Sequence, residues 1–287
     1  MTNLKTGARM DSIGIIGNGF VGNAIHQGMR EHFNVVVYDV APAKKINTFA
    51  DVDATKIIFI CVPTPMTPEG EFDASILLSA IAGLSPGKIL VIKSTITPDF
   101  AEDLTQAFPE HSLVFNPEFL TERTAVHDFQ NPTRIVLGGD EKPVKKVEEM
   151  YRVVFPSRLI EIIKTDIKTA CFIKYFSNCF FAAKVSLMNE FRQVADAAGI
   201  DWNMALNGLL SSGWVNPMHT MVPGPDGDFG FGGKCFPKDI CAFMAYCKSN
   251  GIDPLMLEAA WDKNKQVRKN KNWLSIEGAV STIRSKK

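Results

Sequence analysis

Along the first 164 residues, short apolar runs rich in β-branched side chains recur with room for helices between them. The runs are Ile13–Ile16, Val35–Tyr38, Ile57–Cys61, Ile89–Ile92, Leu113–Phe115, Ile135–Leu137 and Leu159–Ile163. Each is apolar at nearly every position rather than at alternate ones. Between them lie amphipathic stretches such as Val21–Glu31 and Ala74–Gly83. Strands apolar on both faces, alternating with helices, predict an α/β domain whose doubly wound parallel sheet is covered on both sides.

The pattern changes after Thr165. Asp166 can cap a long helix whose apolar period runs through Ile173, Phe176, Phe180, Val185, Met188 and Phe191 and ends near Gly199. Further helices are predicted over Trp202–Leu210, Pro237–Ser249 and Pro254–Asn272, so the second half reads as all-helical. One loop interrupts it, Gly213 to Lys234. It is rich in Gly and Pro and too long for a mere connector, which marks it as functional. The expected organisation is a flexible N-terminal extension (1–11), a sheet domain (12–164) and a helical domain (165–287), with a fraying tail from Ser281 to Lys287.

Composition narrows the field. The 287 residues suffice for two domains, and 46% apolar with 22% charged is ordinary for a globular chain. Thirty-one basic residues balance 31 acidic ones, which gives no electrostatic reason to expect nucleic acid or an anionic membrane as partner. Six cysteines without a CxxC pair, and five scattered histidines, predict neither a disulfide scaffold nor a metal site. Met1 to Asp11 has Lys5 and Arg9 but no apolar core, so it does not read as a secretory signal. The most apolar stretch, Cys171 to Met188, holds Lys174, Asn178 and Lys184, which a bilayer disfavours. A soluble, intracellular, reduced protein is expected.

The first strand runs into Gly17-Asn18-Gly19-Phe20-Val21-Gly22, a G-x-G-x-x-G at a strand-to-helix turn. Gly17 suits the tight turn, Gly19 the approach of a pyrophosphate to the positive helix end, and Gly22 close helix–strand packing. The second strand ends at Asp39, 20 residues past Gly19, where a carboxylate can bind ribose hydroxyls and repel a 2′-phosphate. This is a Rossmann-type site for NAD rather than NADP.

Cys235 lies in Gly230-Phe231-Gly232-Gly233-Lys234-Cys235-Phe236-Pro237-Lys238-Asp239. Pro237 fits a first helical turn, which puts the thiol at a positive helix end with Lys234 and Lys238 beside it, all favouring the thiolate. Cys61, Cys171, Cys179, Cys241 and Cys247 read as small buried residues. Lys174 and Asn178 are four apart and share one helix face. Glu118 and Glu122 form a paired-acid candidate, in which one carboxyl pushed to higher pKa could serve as acid or base.

Together these segments resemble the UDP-glucose/GDP-mannose dehydrogenase family of NAD-dependent, four-electron oxidoreductases. The matching stretches also include Cys61-Val62-Pro63-Thr64-Pro65, Lys93-Ser94-Thr95, Asn116-Pro117-Glu118-Phe119-Leu120-Thr121-Glu122 and Asn131 to Gly139. The resemblance implies a second domain like that of 6-phosphogluconate dehydrogenase and a homodimer in the cytoplasm. It implies a nucleotide-sugar substrate, a UDP-hexose, and oxidation of UDP-glucose to UDP-glucuronate through a Cys235 thiohemiacetal and thioester. Lys174 and Asn178 would face the developing oxyanion. Glu118 and Glu122 would share acid/base and water-handling roles, left undivided between them. Thr95 would position a water, and Asp239 would lie near the Lys and Cys. Val62, Pro63, Thr64, Ser94 and Thr95 would complete the cofactor site; Phe119, Leu120, Phe231, Gly232 and Gly233 would touch substrate beside Glu122, Lys174 and Asn178.

Two departures stand out. Family members continue past the helix around Leu257–Asn272 into a second sheet domain, so the chain reads as a short form lacking the nucleotide-sugar-binding domain. The loop Met218 to Asp228 has no arginine to match the one a partner subunit supplies; His219 stands there and reads as a solvated loop residue. The competing readings are a two-electron β-hydroxyacid dehydrogenase, for which Cys235 would be superfluous, and a truncated NAD-binding protein without catalysis.

Overall fold

The structure, a computed structural model, describes residues 11–156 and 160–281. The expected extension before residue 11, Leu159 of the last predicted strand and most of the expected tail lie outside them.

Seven strands form one sheet in the order β2-β1-β3-β4-β5-β6-β7. They are β1 (Ser12–Ile16), β2 (Asn34–Tyr38), β3 (Ile57–Ile60), β4 (Ile89–Ile92), β5 (Ser112–Phe115), β6 (Arg134–Gly139) and β7 (Glu161–Thr165). All neighbours pair in parallel except β5 and β6, which run antiparallel through Val114 with Gly139 and Phe115 with Gly138. The expectation of a wholly parallel sheet is corrected there. Between those strands the regular segments are a 3₁₀ turn (Glu122–Thr124) and a helix of 6 residues (Ala125–Gln130). At about 1.5 Å per residue that helix is too short to carry the chain back along the sheet.

The helices of this part are α1 (Phe20–Met29), α2 (Phe49–Asp53), α3 (Ser75–Ala82), α4 (Pro98–Ala107), α5 (Ala125–Gln130) and α6 (Glu141–Val154). Ile13, Ile15, Phe59, Val91, Val114 and Leu137 of the strands pack with Ile25 and Met29 of α1 and Val147 and Tyr151 of α6 in one core. Strands buried on both faces explain their unbroken apolar runs.

The chain divides into two compact units. The first holds residues up to Thr64 with Ala74–Lys174; the second holds Pro65–Asp73 with Tyr175–Lys287. The division falls inside α7 (Ile167–Ala198), which starts where Asp166 accepts the Thr169 N–H at 2.8 Å and stops before Gly199, φ 66°.

The second unit adds α8 (Trp202–Leu210), α9 (Cys235–Ser249) and α10 (Leu255–Val267). Helix α9 begins two residues earlier than Pro237 suggested. Helix α10 stops at Val267, and Asn272–Leu274 is a separate 3₁₀ turn. Met66 makes isolated bridges to Phe72 and Val280. Cys179, Ala182, Phe231, Ile240 and Ala260 form the core here. Along α7 the buried line is Cys171, Tyr175, Cys179 and Ala182, while Phe176, Phe180 and Phe191 of the predicted apolar period are exposed. Among the described residues, no helix is long and apolar enough to cross a membrane, and no cluster of three His, Cys, Asp or Glu could hold a metal.

Candidate active site

In the first unit the chain leaves β1 at Gly17 with φ 93°, and the Gly17 N–H donates to Tyr38 O at 2.9 Å. A Cβ on Gly17 would stand 2.7 Å from the Cys61 carbonyl oxygen, and one on Gly22 would fall 1.9 Å from the Gly17 carbonyl oxygen. At Gly19 a Cβ would meet nothing within 4 Å. That open space lies at the start of α1, where Phe20 and Val21 bring backbone N–H groups that lack intrahelical acceptors. Asn18 donates its Nδ2 to Lys44 O at 2.7 Å, but its Oδ1 is buried without a partner. Asp39 accepts the Asn18 N–H at 2.6 Å and the Ala41 N–H at 2.8 Å, which fixes its carboxylate at the end of β2. Open cradle, helix end, orphaned amide oxygen and acid fit a dinucleotide.

The loops after β3 and β4 are stitched together. Thr64 Oγ1 donates to Thr95 O at 2.8 Å and Ser94 Oγ to Val62 O at 2.6 Å, with Pro63 between the two anchored positions. Thr64, Ser94 and Thr95 are buried.

The segment after β5 carries Glu118, buried and held on three sides. Lys174 Nζ donates to Glu118 Oε1 at 2.9 Å and to its carbonyl oxygen at 2.6 Å, and the Leu120 N–H donates to Oε2 at 2.8 Å. Burial works to raise this carboxyl's pKa. The Lys174 ammonium and its hydrogen bond, the Leu120 amide and Lys93 outweigh it, and the net direction is down. Glu118 is therefore a carboxylate, not the raised acid that the paired pattern suggested. Phe119 is half-buried, with the Arg134 guanidinium 4.3 Å and the Lys174 ammonium 5.6 Å from its ring centre. Glu122 lies elsewhere, exposed in the wall of a surface cleft with Phe20, Asn23 and His127.

In the second unit Cys235 is the first residue of α9 and is half-buried. Burial pushes the other five thiols up, Cys61 and Cys241 to about 12. Lys238, which the sequence sets beside the thiol, gives its ammonium to Asp239 at 2.5 Å; the other oxygen of Asp239 accepts from Asn178 Nδ2 at 2.5 Å. The glycines before Cys235 are fastened by side chains that sequence reasoning missed. Asn189 accepts the Gly230 N–H, Asn264 accepts the Phe231 N–H and donates to its carbonyl, and Asn272 accepts the Gly233 N–H. Arg268 Nη2 would lie 2.5 Å from a Cβ on Gly232 and bonds Asp226 at 2.6 Å. A signal existed: Asn264 and Arg268 continue the buried line of Ala260 at spacings of four.

His219 is not a solvated loop residue. Its ring packs against Phe181 at 4.6 Å and Phe236 at 5.3 Å, its φ is 64°, and Lys184 Nζ binds the carbonyls of Asn216 and Met218 beside it. Burial and then the Lys184 charge lower its pKa, so the imidazole is neutral at pH 7.

A Rossmann-type sheet with a fitted dinucleotide cradle, joined in sequence to a helical unit holding a thiol at a helix start, defines an NAD-binding dehydrogenase fold. Sequence models of two domains match: the NAD binding domain of the UDP-glucose/GDP-mannose dehydrogenase family over residues 45–155, and its central domain over residues 168–266. The chain belongs to that family. It is 35% identical over 225 residues to the UDP-glucose 6-dehydrogenase of Rickettsia bellii, covering 74% of this chain and 50% of that one. A UDP-glucose dehydrogenase structure from Pyrobaculum islandicum matches with a TM-score of 0.81 at 26% identity, covering 92% of this chain and 70% of that one. A 3-hydroxyisobutyrate dehydrogenase from Mycobacterium tuberculosis shares the fold, with a TM-score of 0.70 at 18% identity over 90% of this chain and 94% of that one. The chain spans about half the length of the UDP-glucose 6-dehydrogenases it matches.

Proposed function

We propose that this chain oxidises a nucleotide sugar by four electrons, UDP-glucose to UDP-glucuronate, through covalent intermediates on Cys235. The observation that carries the reading is the contrast among its thiols. Five are held protonated by burial, while Cys235 alone opens a helix, behind a glycine loop anchored by three asparagines.

Held at the Gly17–Gly22 turn and Asp39, NAD⁺ would supply the hydride acceptor for each of two oxidations. Glu118, ionised and fixed, is the group we assign to take the alcohol proton, with Thr95 holding a water. The Cys235 thiolate then adds to the aldehyde carbon, and the carbonyl electrons move to oxygen. We assign Lys174 and Asn178 to that oxygen, with Asp239 orienting Asn178. After the second hydride leaves, the thioester takes up water and the C–S bond breaks, releasing carboxylate and restoring the thiolate. Phe119, Leu120, Glu122, Phe231, Gly232 and Gly233 are assigned to substrate.

In this reading residues 12–164 bind NAD and 165–287 form the catalytic and dimerisation domain of a homodimer. A nucleophilic thiol is kept reduced in the cytoplasm, where we place it. A scan of sugar nucleotides with NAD⁺ tests the reading: two NADH per acid product are expected. One NADH per product would put the two-electron hydroxyacid reaction in its place. NAD binding without turnover would leave a binding protein.

A further inference from the structure

Lys93 follows β4 directly and is 7% exposed. Its ammonium donates to Asn116 Oδ1 at 3.1 Å and Pro117 O at 3.5 Å. The Asn116 amide needs no help to stay in place: Tyr151 OH donates to the same Oδ1 at 2.5 Å, and Nδ2 donates to Val136 O at 2.8 Å. Two residues on, Lys174 grips Glu118. The segment Asn116–Glu118 thus lies between two buried ammonium groups.

We propose that Lys93 is a positioning residue for Glu118, a second buried cation that holds the segment bearing this carboxylate and keeps it ionised. The proposal rests on the reading of Glu118 as the reaction's base. The groups whose charges act on Lys93 are Cys61 after β3, Glu118 and Lys174. Burial keeps Cys61 protonated, and it does the same for Tyr151, whose hydroxyl shares Asn116. Glu118 is the one anion of this group, set against two cations. Such a surplus favours the carboxylate over its protonated form. Packing does not account for the lysine, because an apolar side chain of equal length fills such a site without a desolvated charge.

The test is the titration of Glu118 in full-length protein, read by ¹³C NMR of labelled glutamate and assigned with Glu118→Gln. Lys93→Met removes the ammonium. Lys93→Gln removes the charge but keeps hydrogen-bond donors, and covers the case in which the methionine variant does not fold. Both should raise the Glu118 midpoint, and Lys93→Arg should bring it back. With substrate, kcat at pH 5 should fall in the neutral variants more than at pH 7, with KM for NAD⁺ unchanged. An unmoved midpoint in Lys93→Gln overturns the proposal, whatever the activity. A raised midpoint in a protein that turns over no sugar nucleotide upholds the electrostatic role and overturns the dehydrogenase reading instead.

Discussion

At the scale of single residues, burial sorts the titratable groups. Cys235→Ser should bind NAD normally and yield no acid product, because a serine hydroxyl lacks the thiolate's nucleophilicity; stopped assays with mass spectrometry check this, and multi-turnover acid formation would refute covalent catalysis. Iodoacetamide should label Cys235 ahead of the five thiols whose pKa burial raises. Asp39 carries a subtler expectation, since its oxygens, proposed to bind the ribose, already accept two backbone amides. Asp39→Ala should therefore narrow the preference for NAD⁺ over NADP⁺ while weakening both, as calorimetry would read. Stability against pH gives a third outcome at this scale. Burial lowers the Lys93 pKa to about 8 from an ordinary 10.5. Below about 8 both folded and unfolded chains hold this proton; between about 8 and 10.5 the unfolded chain holds more, so this group makes stability rise with pH. Lys93→Met should flatten that rise in urea titrations and be neutral or stabilising at pH 7, by up to ~1–4 kcal/mol. A loss of several kcal/mol at pH 7 would mean the ammonium supports the fold. Glu118 has the opposite sign: its depressed pKa gives stability that is present above the ordinary value of 4.5 and lost as pH falls through the folded one.

At the scale of elements, the glycines at the start of α1 separate folding from binding. A methyl on Gly22 would collide with the Gly17 carbonyl oxygen, whereas one on Gly19 would meet only open space. Gly22→Ala should cost about 1–3 kcal/mol or more. Gly19→Ala should stay within about 1 kcal/mol of the parent yet lose most of its affinity for NAD⁺, in thermal melts and calorimetry run side by side. Equal NAD⁺ affinity in Gly19→Ala would remove the pyrophosphate from this helix end. This motif was legible in the sequence because spacing and chemistry coincide there, and β1, β3, β4, β5 and β6 were legible because burial on both faces leaves unbroken apolar runs; β2 and β7, less buried, showed through their β-branched residues. The antiparallel β6 was not, since an apolar run carries no direction; only the six residues of α5 betray it. The anchors of the glycine loop were hidden for another reason. Asn189, Asn264 and Asn272 lie 39 to 41 or 33 positions from the amides they accept, and such pairings exist only after folding. Lys238 misled because neighbours in sequence compete for partners: its ammonium goes to Asp239.

At the scale of the whole molecule, α7 is apolar on two sides and only one is covered by the described residues. Cys171, Tyr175, Cys179 and Ala182 point inward, while Phe176, Phe180, Leu187, Phe191 and Val194, spaced by three, four or seven, remain exposed by half or more. Those spacings draw one stripe along a helix of 32 residues. The expected pattern of the sequence mixed the two lines, because a helix apolar on opposite sides shows no single period. A stripe of three phenylalanines on a monomer's surface predicts an association site, and a second copy related by a twofold axis would cover it with the same stripe. Homodimerisation through α7 is therefore the expected state. Sedimentation over a wide concentration range should show a dimer that dissociates only on dilution. Phe176→Asp with Phe180→Asp should give a folded monomer, because both side chains already face water and neither belongs to the core of the second unit. Each buried carboxylate at the contact would have to be desolvated without a partner, which is enough to abolish a contact of ordinary strength. Circular dichroism separates this outcome from unfolding. A parent chain that stays monomeric at every concentration, or a double variant that stays dimeric, would exclude the α7 stripe as the interface.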